Sequence, residues 1–333
     1  MSHPLRLIPL LALAGFALVA RADTNSPAAP PRIIHLADER LRDCCVWLDT
    51  NSQTYYLVSS TGHRGPNHRP AVVEYTSKDL SAWEGPHVIF ETPTNFWAHR
   101  GIWAPELHAY QGKFYLFLTF NTDELLPEQW RDWEPRVKRG SQILVSDSPA
   151  GPFQPFANHA TLPADMMTLD GTFWVEDGTP YMVFSHEWVQ ITDGRMEFIQ
   201  LKDDLSDTVG DPHWMFQGSD APWSKKSKQY GCHVTDGPYL YRSKTGKLMM
   251  VWSSFGDGGY SVGLAVSRSG KLAGPWDQQA VPLYSHDGGH PMLFNRLDGQ
   301  LMMMLHTPNH APDERAHLYE VEDLGDTLRL KNP

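Results

Sequence analysis

The sequence predicts an all-β protein, a five-bladed β-propeller with four-stranded blades around a central channel. Three observations lead there. At 333 residues the chain is long enough to bury a large core. A strand–turn–strand unit recurs five times along it. No long segment carries the 3.6-residue periodicity of a helix to compete with that reading.

The repeat is clearest in five apolar runs, each entered from a polar turn: Gln53–Ser60, Gly112–Thr119, Gly178–Ser185, Gly246–Ser253 and Gly299–His306. Each is bounded by turn residues and too short for a helix, so each reads as a strand. A further strand precedes each turn, as in Cys45–Leu48 and Gly171–Val175, which makes five hairpins. A third strand follows in every unit: Ala71–Tyr75, Ile143–Val145, Phe198–Leu201, Val262–Val266 and His317–Val321. Room remains in each unit for a fourth strand, and four-stranded units arranged radially make a propeller. The long stretches Asn121–Gly140 and Asp211–Gly231 read as loop insertions.

The first residues lie outside this repeat. Arg6 precedes an apolar run from Leu7 to Ala20, and Ala20-Arg21-Ala22 fits a small-x-small cleavage site. Residues 1–22 are therefore expected to be a secretory signal peptide, since the run falls short of the roughly 20 residues that span a bilayer. Residues 23–32 follow as a flexible lead-in and 33–333 as a single propeller domain. The mature protein is expected to be secreted or periplasmic, without a membrane partner. Net charge is −11 before removal of the leader, which carries Arg6 and Arg21 but no acid. So acidic a chain, with no basic tract beyond Lys225-Lys226-Ser227-Lys228, speaks against nucleic acid as a partner. Cys44, Cys45 and Cys232 show no CxxC spacing and are too few for a disulfide framework. Either one of the adjacent pair bridges to Cys232 in an oxidising compartment, or all three are buried thiols.

Register within the repeat points to function. Asp43, Ala104, Asp170, Asp236 and His290 each lie eight to ten residues before the hairpin turn of their own unit. They fall near the start of the innermost strand, and innermost strands surround the channel, so three acids and a histidine converge on one cavity. Cleaving a glycosidic bond needs one carboxyl group as acid at the leaving oxygen and a second acting across the sugar. Their pKa values must differ, and three crowded carboxylates in unequal surroundings meet that demand. No HExxH, G-x-S-x-G, P-loop or dinucleotide fingerprint offers another chemistry.

The motifs Arg42-Asp43, Trp103-Ala-Pro-Glu106, Leu169-Asp-Gly-Thr-Phe173, Val234-Thr-Asp-Gly-Pro-Tyr-Leu240 and Gly288-Gly-His290 resemble, in this order, those of glycoside hydrolase family 43. The resemblance runs from about residue 38 to 330. It implies a five-bladed propeller that hydrolyses glycosides with inversion, Asp43 as general base, Asp170 as modulator of the acid's pKa and Asp236 as general acid. It makes His290 the central histidine, which in relatives helps hold a channel water or a calcium ion; no cofactor is otherwise required. Two positions depart from the pattern. Cys44 stands where the family usually has Pro, and Asp236 where it usually has Glu. The shorter side chain has about 1.5 Å less reach, and a misplacement of that order costs about a hundredfold unless the backbone compensates.

Trp faces stack well on sugar rings, and twelve Trp residues are present. Trp103 and Trp188, with polar neighbours, are the preferred candidates for the pocket wall over Phe96, Trp97 and Trp174. His186, Glu187, His233 and Arg315 are candidates for binding sugar hydroxyls, Arg315 by its match to an arginine in the last blade of relatives. The activity expected from the resemblance is an exo-acting α-L-arabinofuranosidase. A β-xylosidase, a β-galactofuranosidase and a catalytically impaired carbohydrate-binding propeller are the alternatives.

Overall fold

The computed structural model describes residues 30–229 and 231–332, so the expected signal peptide lies outside the described residues. Among the described residues, twenty-one strands form five antiparallel sheets. The first blade holds β1 (Arg32–Ile34), β2 (Cys45–Asp49), β3 (Thr54–Ser59), β4 (Ala71–Ser77) and β5 (Trp83–Glu91). The second holds β6 (Gly101–Tyr110), β7 (Lys113–Leu125), β8 (Val137–Ser146) and β9 (Gln154–Pro155). The third holds β10 (Thr168–Glu176), β11 (Thr179–His186), β12 (Arg195–Leu201) and β13 (Thr208–Gln217). The fourth holds β14 (Asp236–Arg242), β15 (Leu248–Gly256), β16 (Gly259–Ser267) and β17 (Trp276–Gln278), and the fifth β18 (Gly289–Asn295), β19 (Leu301–Thr307), β20 (Arg315–Asp323) and β21 (Leu328–Leu330).

From β2 onward the strands of each blade follow one another in order, and the innermost strand opens each run of four. Neighbouring blades meet through these inner strands: β2 against β6, β6 against β10, β10 against β14, β14 against β18, and β18 back against β2. That last contact closes a ring, and the fold is a five-bladed β-propeller. Three local expectations change. Arg32, expected in the flexible lead-in, pairs with Gly85 and opens an extra strand on the outer edge of the first blade. The supposed insertions are partly strand, since β7 and β8 run on through Leu125 and from Val137, and β13 through Gln217. All three cysteines are buried and free, which settles the open pairing in favour of thiols. No described helix is long and apolar enough to cross a membrane.

The apolar runs are continuous because the middle strands are buried on both faces. Met250 and Trp252 of β15 pack with Val183, Met196 and Phe216 of the third blade, whereas Met249 and Val251 pack with Leu293, Met303 and Leu305 of the fifth. The core is thus divided among the seams between blades, and each fully buried large side chain contributes roughly 1.5–3 kcal/mol.

Polar contacts cross the same seams at one repeated place near the channel, where the second strand of a blade meets the first strand of the next. Ser60 Oγ donates to Ile102 O (2.8 Å), Thr119 Oγ1 accepts from Asp170 N (2.9 Å), Ser185 Oγ contacts Thr235 O, and Ser253 Oγ accepts from His290 N (2.8 Å). Thr119→Val keeps the shape but strands the buried Asp170 N–H. The expected loss of unfolding free energy is about 1–3 kcal/mol, read from the urea midpoint. An unchanged midpoint would show that the seam does not depend on this bond.

Candidate active site

Every blade turns its backbone at the same step. Asp43, Ala104, Asp170, Gly237 and His290 have φ between 44° and 56°. In the last four of these blades the strand register slips by one residue immediately afterwards. A left-handed residue followed by a bulge re-aims the side chain beside it. For a residue other than glycine it costs about 1–2 kcal/mol, which the seam contacts to Asp170 and His290 help to offset.

The register also separates the three aspartates. Asp43 and Asp170 occupy the left-handed step itself, whereas Asp236 sits one residue before it and Gly237 takes the step. A Cβ on Gly237 would lie 3.0 Å from Cα, Cγ and Nδ1 of His290, so only glycine fits there. Asp236 therefore enters the cavity from a different backbone position than the other two acids.

All three aspartates and His290 line one cavity of about 730 Å³ to which every blade contributes. Asp43 Oδ2 lies 3.2 Å from Arg42 Nε, and Oδ1 lies 3.1 Å from His306 Nδ1 and 3.5 Å from His290 Nδ1. Asp170 Oδ2 accepts the Gly237 N–H at 3.0 Å and lies 3.7 Å from His290 Nδ1. Tyr260 O–H donates to Asp236 Oδ2 at 2.9 Å.

These surroundings drive the acids apart. Burial alone would raise the Asp43 pKa, but Arg42, His290 and His306 outweigh it and hold this carboxyl well below the usual range. For Asp170 burial prevails, aided by the charge of Asp43 and opposed by His290, and its pKa rises to about 6. Asp236 is pushed well above the usual range by burial and then by the Asp170 charge, against which the Tyr260 hydroxyl pulls. The same cavity therefore favours the ionised form of Asp43 and the protonated form of Asp236, with the Asp170 charge adding to the second effect.

Trp103 is 41% exposed in the wall, with the Arg139 guanidinium 4.4 Å from its ring centre. Arg139 in turn pairs with buried Glu187, and Trp188 also lines the cavity. His186, His233 and Arg315 do not line it. His186 is held by Gln190 (2.9 Å) and Glu197 (3.3 Å), and His233 contacts Ser224 (3.0 Å). Arg315 donates to the carbonyls of Ala37, Pro312 and Glu314. Phe96, Trp97 and Trp174 pack against the blade cores. Sequence reasoning missed Tyr260, His306, Asn309 and Arg139. For His306 a signal was present, because it ends the fifth apolar run where the other four end in Ser or Thr.

No group of three or more His, Cys, Asp and Glu side chains among the described residues is arranged to hold a metal ion. Calcium takes six to eight oxygen ligands, and His290 turns Nδ1 to the two aspartates. The side chains alone do not make a calcium site, and no step below passes through one.

One propeller channel thus gathers three carboxyl groups in unequal surroundings. The model of the family "Glycosyl hydrolases family 43" matches residues 41–330. Among solved structures, an endo-arabinase from Bacteroides thetaiotaomicron VPI-5482 is 39% identical, covering 87% of this chain and 96% of that one with a TM-score of 0.76. An endo-1,4-beta-xylanase from the same organism is 20% identical (91% and 97% covered, TM-score 0.70). An alpha-L-arabinofuranosidase from Lactobacillus brevis is 16% identical (88% and 96% covered, TM-score 0.67), and these two likenesses show the fold alone. No curated protein matched. The chain belongs to glycoside hydrolase family 43.

The raised Asp170 pKa fixes a pH dependence. The folded chain keeps this proton to about pH 6 and the unfolded chain only to its ordinary value of 3.8, so the folded state binds more protons between them. This contribution to stability is full below the lower value and is lost as pH rises through the upper one. Unfolding free energies of wild type minus Asp170→Asn, measured in urea, are expected to fall across that window by up to about 3 kcal/mol. Identical pH dependence in the two proteins would contradict the raised pKa.

Proposed function

We propose that this glycoside hydrolase cleaves α-L-arabinofuranosyl linkages within arabinan chains, with Asp43 as general base and Asp236 as general acid. The opposed ionisation of these two residues in one cavity carries the mechanism. Ionised Asp43 takes a proton from a water as its oxygen bonds to the anomeric carbon. The glycosidic C–O bond breaks, and the leaving oxygen takes the proton of Asp236. Asp170 keeps Asp236 protonated through its charge, and the Tyr260 hydroxyl orients it. Entry from a separate backbone step offers the compensation that the short Asp side chain requires. With water attacking opposite the leaving group, the anomeric configuration inverts.

Arabinan is favoured by the endo-arabinase relative at 39% identity. Internal attack is favoured over the exo action expected from sequence because the cavity has the volume of a drug-sized site, well beyond a single terminal pentose. Trp103, Trp188, Arg139 and Glu187 form the wall available to the sugars.

Linear arabinan is the direct test. Wild type is expected to shorten it to oligosaccharides, and Asp43→Asn and Asp236→Asn to slow this by about 10²–10⁴-fold without loss of fold. Arabinose alone, released from chain ends, would instead support the exo-arabinofuranosidase. Binding without turnover would support a carbohydrate-binding propeller, and turnover only of aryl xylosides or galactofuranosides the other specificities. The alkaline limb of the kcat profile, set by loss of the Asp236 proton, is expected to move to lower pH in Asp170→Asn, because a charge that holds the proton on is gone. A limb that stays put would remove Asp170 from the mechanism.

A further inference from the structure

The seam contacts described above recur at one register position. Thr119, Ser185, Ser253 and His306 each lie on the second strand of a blade, at its channel end, and Ser60 directly follows the second strand of the first blade. In four seams a hydroxyl group at this place bonds the backbone of the following blade. The fifth seam, between the fifth blade and the first, breaks the rule. Its residue is an imidazole, and it reaches past the backbone to a side chain, the Asp43 carboxylate.

His306 is almost wholly buried, and its surroundings leave it little choice of orientation. The Tyr260 ring lies nearly parallel to it, with centroids 5.8 Å apart. Nδ1 lies 3.1 Å from Asp43 Oδ1, and Nε2 lies 3.2 Å from Asn309 Oδ1. Asn309 Oδ1 also accepts from Arg42 Nη1 at 2.7 Å, and Arg42 Nε lies 3.2 Å from Asp43 Oδ2. Asp43, His306, Asn309 and Arg42 thus form a closed circuit around the carboxylate, in which each ring nitrogen of His306 faces an oxygen and holds it only when it carries a proton. Within it Asp43 Oδ1 is buried without an aligned hydrogen-bond partner, and so is His306 Nδ1. Asp43 nevertheless keeps 17% of its side chain exposed, which leaves Oδ2 as the oxygen that can face the cavity.

We propose that His306, supported by Asn309, is a positioning residue for hydrolysis: it holds the rear oxygen of Asp43 so that the other oxygen is aimed at the attacking water. This rests on Asp43 being the general base. The circuit has no need of a serine's short reach at this seam, because the group to be held is a side chain rather than the neighbouring backbone. Apo contacts of this kind are often poorly aligned and tighten when substrate binds, which accounts for a 3.1 Å separation without an aligned bond.

The test compares His306→Leu, which removes both nitrogens, with His306→Asn, whose amide nitrogen falls near the place of Nδ1. On an aryl glycoside of an arabino-oligosaccharide, His306→Leu is expected to lower kcat about 10- to 100-fold with KM nearly unchanged, and His306→Asn to recover most of the loss. The loss is expected to be the same with good and poor leaving groups, because the defect lies on the water side. The loss in Asp236→Asn, on the leaving-group side, is expected to shrink with a good one. A folded His306→Leu enzyme with wild-type kcat, beside an inactive Asp43→Asn, would overturn this inference and leave the base assignment standing. An active Asp43→Asn would instead overturn the base assignment itself. Should His306→Leu fail to fold, Asn309→Ala carries the test: a lower kcat at constant KM supports the positioning role, and an unchanged kcat overturns it.

Discussion

A left-handed backbone step at the mouth of every blade is the constraint on which the rest of this structure depends. It is unfavourable for any residue with a side chain, yet four of the five positions carry one. Asp43, Asp170 and His290 are thereby pointed at a common space that ordinary pleated strands would not bring them to. The step survives because contacts across the seams fix the chain on both sides of it, as with Thr119 on Asp170 and Ser253 on His290. Local strain and blade packing are two sides of one arrangement.

Crowding then becomes chemistry because the three acids do not share their neighbours. Asp43 has Arg42 and two histidines, which outweigh the cost of burying its charge. Asp236 has a phenol and another carboxyl, which do not. Asp170 lies between, tied to the backbone of the residue after Asp236 and to the histidine beside Asp43. One fold thus shifts the acidity of the same amino acid in opposite directions, with the difference set by what the adjoining blades present.

The fold was legible because strands buried on both faces leave long apolar runs, and turns punctuate them at similar intervals. Gln53–Ser60 and Gly299–His306 announce their hairpins without any partner being known. The grouping of the aspartates was legible for the same reason. Finer detail was not, since a slip of one residue sends a side chain to the other face. Counting back from the turn treats Asp236 as equal to Asp170, whereas the bulge gives that place to Gly237. His186 and His233 look suited to a sugar until their own neighbours, Glu197 and Ser224, engage them. Tyr260 carries no sign in the sequence that its hydroxyl meets an aspartate on the neighbouring strand pair.

Each blade is built from one continuous stretch of chain, so no strand from one end of the sequence completes a blade begun at the other. The ring is shut by contacts between the last blade and the first, among them Arg40 with Glu314, Arg42 with Asn309, Leu297 N–H with Tyr55 and Leu41 N–H with Glu314 O. Asp43 sits on one lip of that joint, with His290 and His306 on the other. A chain with four blades folded and the joint still open owns every residue of the site and none of its geometry. Competence for hydrolysis therefore belongs to the closed ring and to no open form of it.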